Sequence, residues 1–140
     1  MSAEATDQRL KQALALSDLP PDELVGVLLP TMFTEGTPSD AVEEFGAAMR
    51  STHPAGFRAM ARAAAEDLRD ALPGVDVPTL LVYGDKDVRA PLTVAEDLHA
   101  EISGSTLVVL SDAGHVCNIE AAGEFNRAVR DFLRAHGTRP

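Results

Sequence analysis

The sequence predicts an α/β fold in which a helical region, residues 1–75, precedes a strand–helix–strand–helix unit, residues 76–140. Three observations carry this reading. The composition changes near residue 75: upstream the chain is rich in Ala, Glu, Asp and Arg and punctuated by prolines, and downstream it holds two β-branched apolar runs. Those runs, Thr79–Tyr83 (TLLVY) and Thr106–Leu110 (TLVVL), are short and continuously apolar, as strands buried in a parallel sheet are. A helical pattern separates them and another follows, the order of a βαβ unit with parallel strands and a right-handed crossover.

The elements follow in turn. Leu10, Ala13 and Leu14 have helical spacing. Pro20 and Pro21 open a second helix, with Asp22 and Glu23 where the helix dipole favours negative charge. Leu24, Val27 and Leu28 share its face, and Pro30 stops it. Thr37-Pro38-Ser39-Asp40 reads as a helix start, with Thr37 as cap and Pro38 in the first position; Val42, Phe45 and Met49 follow on one side. A fourth helix begins near Pro54, with His53 at its start. It places Phe57, Met60, Ala61, Ala64 and Leu68 on one stripe and ends at Pro73-Gly74. Beyond the first apolar run, Pro91 opens a helix with Ala95, Leu98 and Ile102 inward, and Gly104 follows its end. Phe125, Ala128, Val129, Phe132 and Leu133 form the stripe of the last helix. Two strands do not make a stable sheet by themselves.

The 140 residues fit one domain or part of a larger one. The formal net charge is −10, from 12 basic and 22 acidic residues, which repels a phosphate backbone and argues against a nucleic-acid partner. No basic run invites an anionic membrane. No apolar stretch approaches the roughly 20 residues needed to span a bilayer. Cys117 stands alone, so an internal disulfide is excluded and a reducing compartment is expected. The N-terminal MSAEATDQRL lacks the apolar core of a signal peptide. These features together predict a cytoplasmic protein.

Ligands of parallel α/β sheets gather at the carboxyl ends of the strands. Both apolar runs lead into loops with titratable residues: Gly84-Asp85-Lys86-Asp87-Val88-Arg89-Ala90-Pro91, and Ser111-Asp112-Ala113-Gly114-His115-Val116-Cys117-Asn118-Ile119-Glu120. An Asp after a strand most often forms a turn or caps a helix. On neighbouring strands, however, these loops lie side by side. A carboxylate from one then reaches a ring nitrogen of the histidine on the other. Such a pairing fixes the imidazole tautomer and stabilises the imidazolium formed when it accepts a proton from a nucleophile.

The segment P-T-L-L-V-Y-G-D-K-D-V-R-A-P resembles the acid-bearing segment of α/β-hydrolases: a strand, then G-x-x-D, then a proline opening the next helix. The segment L-V-V-L-S-D-A-G-H-V-C-N-I-E resembles their histidine segment, with G-H followed by an Asn and a Glu that lead into the last helix. Upstream, H-P-A-G-F-R-A-M-A-R-A (His53 to Ala63) is similar to a cap helix of the 3-oxoadipate enol-lactonase and haloperoxidase-like branch. The resemblance implies an α/β fold made of a helical cap, residues 1–75, and the C-terminal βαβα portion of an α/β-hydrolase sheet, residues 76–140. It implies hydrolysis of an ester or lactone, with Asp87 as the catalytic acid and His115 as the catalytic histidine, and no cofactor or metal.

The chain departs from that pattern in one large respect. The branch carries its serine in a G-x-S-x-G elbow before the cap. Ser2, Ser17, Ser39, Ser51, Ser103, Ser105 and Ser111 all lack the flanking glycines. Two readings follow. In one, a separate or missing N-terminal hydrolase segment supplies the nucleophile. In the other, the chain is a non-catalytic remnant acting as a binding or self-associating module. Either predicts a partner: that segment or a second copy.

Other candidates carry weaker claims. Asp85 matches the turn rather than the acid, and Asp112 reads as a solvated loop residue. Cys117 reads as a small buried hydrophobe rather than a thiol nucleophile. His115, Cys117 and Asp87 lack the ligand spacing of a zinc site. His99 and His136 read as exposed, and Met32, Phe33 and Phe57 as packing within the helical region.

Overall fold

The computed structural model describes residues 3–66 and 68–137. Met1, Ser2 and residues 138–140 lie outside the described residues, and with them the ends of both expected regions. The chain divides into two compact units: Met1–Leu29 with Ser39–Leu68, and Pro30–Pro38 with Arg69–Pro140.

The first unit is helical: α1 (Ala3–Leu16), α2 (Pro21–Leu28), α3 (Ser39–Arg50) and α4 (Pro54–Ala63). Pro20 and Pro21 start α2 as expected, because proline's fixed φ suits the first turn and its missing N–H is not needed there. Leu24, Val25 and Leu28 are buried, while Val27 is 51% exposed. The inward face of α2 is therefore turned towards Val25, which lies against Gly46 of α3. His53 caps α4: its Nδ1 accepts the Ala55 N–H at 3.1 Å.

The helix expected from Pro54 to Gly74 ends at Ala63 instead. Ala65 and Glu66 donate to the carbonyls three residues back, a tighter turn that closes the helix. A separate 3-10 segment, Arg69–Gly74, carries Pro73. The reason lies in burial. Of the predicted stripe only Ala61 is buried, with Met60 59% and Leu68 67% exposed, and a helix without an apolar face to pack is marginal.

The second unit holds β1 (Leu80–Gly84), α5 (Leu92–Glu101), β2 (Thr106–Leu110), the short α6 (Cys117–Glu120) and α7 (Ala122–His136). The strands are parallel, in register from Leu80 against Thr106 to Gly84 against Leu110. Strand β1 runs one residue past the expected Tyr83 because Gly84 still pairs with Leu110, and the Asp85 N–H reaches the Leu110 carbonyl at 3.0 Å. Ala95 and Ile102 of α5 are buried as their spacing predicts. Leu110, Ala113 and Cys117 form the core, with Val82, Val108, Ala121 and Phe125 packed against it. The apolar stripe of α7 is only half covered; Leu133 is 58% exposed. A two-stranded sheet offers too narrow a surface to bury it. Among the described residues no helix is long and apolar enough to cross a membrane.

Candidate active site

The site begins with a close approach at the end of β1. A side chain on Gly84 would run into the backbone carbonyls of Ala113 and Gly114. Glycine here lets the loop after β2 cross directly over the loop after β1. The Lys86 N–H then donates to the Ala113 carbonyl at 2.9 Å and locks the two loops together.

Asp87 sits at the centre of the first loop with both carboxylate oxygens occupied. Oδ1 accepts the backbone N–H groups of Arg89 (2.8 Å) and Ala90 (2.9 Å), closing the turn before α5. Oδ2 accepts from Nδ1 of His115 at 2.8 Å. The Asp87 side chain is only 5% exposed, whereas that of His115 is 38% exposed. The two residues the sequence singles out are thus brought into direct contact across neighbouring loops. Burial pushes the Asp87 carboxyl upward, but the hydrogen bonds from Ala90, His115 and Arg89 outweigh it and hold the group below its ordinary value. An ionised carboxylate only accepts hydrogen bonds, so His115 donates from Nδ1, and in the neutral ring the lone pair is on Nε2. Tyr83 responds in the opposite sense: burial, then the Asp87 charge, raises its hydroxyl.

The histidine loop is held on both sides of His115. The Val116 N–H donates to the Met32 carbonyl at 3.2 Å. The Gly114 N–H donates to Oε2 of Glu120 at 2.6 Å. The other oxygen of Glu120 accepts the Thr34 N–H (2.7 Å), the Thr34 hydroxyl (2.8 Å) and the Thr37 hydroxyl (2.7 Å). Burial raises the Glu120 carboxyl, but these four donors outweigh it and leave it below its ordinary value. Thr37, expected to cap α3, is turned towards Glu120, and the helix starts at Ser39 with the Asp40 carboxylate on the Ala41 N–H. Glu120 is the residue that sequence reasoning passed over, naming it only as part of the G-H-x-x-x-x-E pattern. That spacing was the available signal. The two threonines gave none, being more than 80 residues away.

The remaining candidates fall outside the pair. Asp85 is exposed and contributes its N–H to the strand ladder. Asp112 is exposed at φ 56°, a left-handed conformation that Asp tolerates. Cys117 is buried in the core, with its thiol 4.0 Å from the Val82 carbonyl and raised by burial, which disfavours the thiolate. His99 bonds Ser105, and His136 bonds the Phe132 carbonyl; both are exposed. Met32 and Phe33 belong to the second unit rather than to the helical one. No cluster suited to a metal ion occurs among the described residues.

Parallel strands lead here into an acid loop and a histidine loop that meet at the carboxyl end of the sheet. A family model described as TAP-like protein, of the α/β-hydrolase type, matches residues 45–140. The chain belongs to the α/β-hydrolases. It is 36% identical over 112 residues to the pimeloyl-[acyl-carrier protein] methyl ester esterase of Neisseria meningitidis serogroup C, covering 80% of this chain and 38% of that protein. A thermophilic esterase from Thermogutta terrifontis superimposes with a TM-score of 0.85 at 29% identity, over 99% of this chain and 53% of its own. The enol-lactonase of Burkholderia xenovorans LB400 does so at 0.75 and 31% identity, over 90% and 50%. The chain therefore spans between a third and about half of the relatives it matches.

Proposed function

We propose that this chain supplies the acid and histidine of a serine-type hydrolase acting on ester or lactone bonds. Residues 1–75 serve as its helical cap and residues 76–140 as the carboxyl-terminal part of its core. The observation that carries the reading is the 2.8 Å hydrogen bond between Asp87 Oδ2 and His115 Nδ1, which leaves Nε2 free to take a proton. In this scheme Nε2 accepts the proton of a serine hydroxyl as it attacks the ester carbonyl. Asp87 stabilises the resulting imidazolium. The imidazolium then protonates the leaving alkoxide, and His115 next activates a water that releases the acid. The serine and the N–H groups that hold the oxyanion come from a segment bearing the G-x-S-x-G elbow, whether separately encoded or part of a longer chain. The lone cysteine favours the cytoplasm.

The test starts from the DNA immediately upstream, which should encode strands and a G-x-S-x-G motif. Alone, this chain should neither turn over activated esters nor label with a fluorophosphonate. Joined to that segment it should do both, and His115→Ala should lower turnover by about 10⁴-fold or more. Unrelated upstream sequence, together with failure of any segment bearing the G-x-S-x-G elbow to restore turnover, would sink the proposal. Stoichiometric labelling of the chain alone that vanishes in His115→Ala would mean that a serine within it serves instead.

One observation favours a second reading, a self-associating module. Among the described residues the sheet has two strands, so β1 keeps a free edge of N–H and C=O groups, and Val77 is 62% and Val109 40% exposed. Such an edge is a template for another chain. Light scattering at low micromolar concentration should then report a dimer or larger species; a monodisperse, cooperatively unfolding monomer would retire this reading.

A further inference from the structure

We propose that Glu120 is a positioning residue for His115, and that it acts through the peptide at Gly114 and through a strap formed by residues 30–38. The inference rests on the reading of His115 as the catalytic histidine and goes beyond it in saying what holds that histidine in place. Glu120 touches neither the imidazole nor Asp87, so the scheme above does not use it. Yet its carboxylate gathers four donors, two of them backbone N–H groups from segments 80 residues apart. A carboxylate is the acceptor-only group that can satisfy donors on both oxygens.

The arrangement brackets His115 along the chain. The residue before it is fixed by Oε2. The residue after it is fixed by the Met32 carbonyl, and Met32 lies on the strap that Oε1 ties down at Thr34 and Thr37. One carboxylate thus anchors both neighbouring peptides, one directly and one through the strap. Gly114 fits this role: a Cβ there would lie 2.9 Å from Oε2 and 3.2 Å from the Met32 carbonyl. With its flanking peptides held, the backbone of His115 presents the ring to Asp87, where Nδ1 meets Oδ2.

The two halves of the clasp separate by substitution. In Glu120→Gln the amide oxygen can keep the threonine donors, but the NH₂ then faces the Gly114 N–H, donor against donor. In Thr34→Val/Thr37→Val the strap hydroxyls are lost while the Gly114 bond stays. The readout is the imidazole ¹⁵N and downfield proton spectrum of the full chain, with the melting curve recorded alongside. Wild type should show a single tautomer with the proton on Nδ1. Glu120→Gln should lose the downfield Nδ1–H resonance and give averaged tautomers while still melting cooperatively. The threonine pair should weaken the resonance without abolishing it, because the Thr34 N–H still holds Oε1 and the Gly114 N–H still holds Oε2; a resonance unchanged in the pair would remove the strap from the proposal. Asp87→Asn is the control. If it changes the spectrum and Glu120→Gln does not, the positioning role is wrong and the acid–histidine pair stands. If Asp87→Asn changes nothing, the pairing itself fails and this proposal falls with it. Should Glu120→Gln unfold, wild-type amide exchange decides: protection at Gly114 and Thr34 supports the clasp, and free exchange at both overturns it.

Discussion

The two units use their carboxylates in contrasting ways. In the helical unit, Asp22 meets Arg50 at 2.8 Å and Asp18 meets Arg58 at 3.5 Å, with the aspartates 86% and 79% exposed. In the second unit, Asp87 and Glu120 accept three and four hydrogen bonds, and four of those seven come from loop backbone N–H groups. The difference follows from what each region lacks. Helices satisfy their own N–H groups, so an aspartate on their surface has little left to do. Loops that cross at the end of a sheet leave N–H groups without ladder partners, and enclosed carboxylates supply the acceptors. Exposed pairs are interchangeable, whereas enclosed ones fix the loops that bring Asp87 against His115.

The strongest way to break this contrast is at glycine. Gly84→Ala places a methyl group against two backbone carbonyls that cannot move without dismantling both loops. We expect a loss of about 3 kcal/mol or more, and separation of Asp87 from His115, in denaturant melts and in the imidazole spectrum. Gly26 lies in α2 with nothing within reach of an added methyl. Gly26→Ala should instead raise stability by about 0.5–1 kcal/mol. Equal effects at the two positions would erase the distinction between the units.

A smaller effect sharpens it through pH. Asp87 and Glu120 both titrate below their ordinary values of 3.8 and 4.5 in the folded chain. The unfolded chain therefore binds protons more readily. The stability these groups contribute is complete above the ordinary values and is lost as pH falls through the lower folded ones. Acid melts should show stability falling from about pH 5 downward, and Glu120→Gln should start lower and fall less steeply across that range. An unchanged slope would mean that Glu120 is not held by its four donors.

The same contrast explains what the sequence made legible. The parallel strands and the contact between Asp87 and His115 were readable because each depends on local pattern: an apolar run, a G-x-x-D turn and a G-H step. The end of α4 was not, because Met60, Ala64 and Leu68 keep a helical stripe whether or not a surface exists to receive it. Val27 against Val25 was a choice between two faces that periodicity allows equally. The clasp was out of reach for a different reason: Thr34 and Thr37 become partners of Glu120 only through the fold, and Thr37-Pro38 has an equally good local meaning as a helix start.

The smallest effect belongs to the helical unit. Arg50 Nε and Asp22 Oδ1 form a single bond at 2.8 Å between α3 and α2, with Arg50 46% exposed and Asp22 86% exposed. Water competes for both charges, and holding the long arginine in one rotamer costs entropy that offsets the attraction. A double-mutant cycle with Asp22→Ala and Arg50→Ala should give a coupling of about 0.2–1 kcal/mol, shrinking further as salt is raised. The contrast between the units predicts more than a small number. Losing this pair should leave the imidazole spectrum of His115 untouched, because no loop backbone depends on it. A coupling above about 2 kcal/mol would place Asp22 among the enclosed carboxylates, and the division between decorative and positioning acids would have to be redrawn.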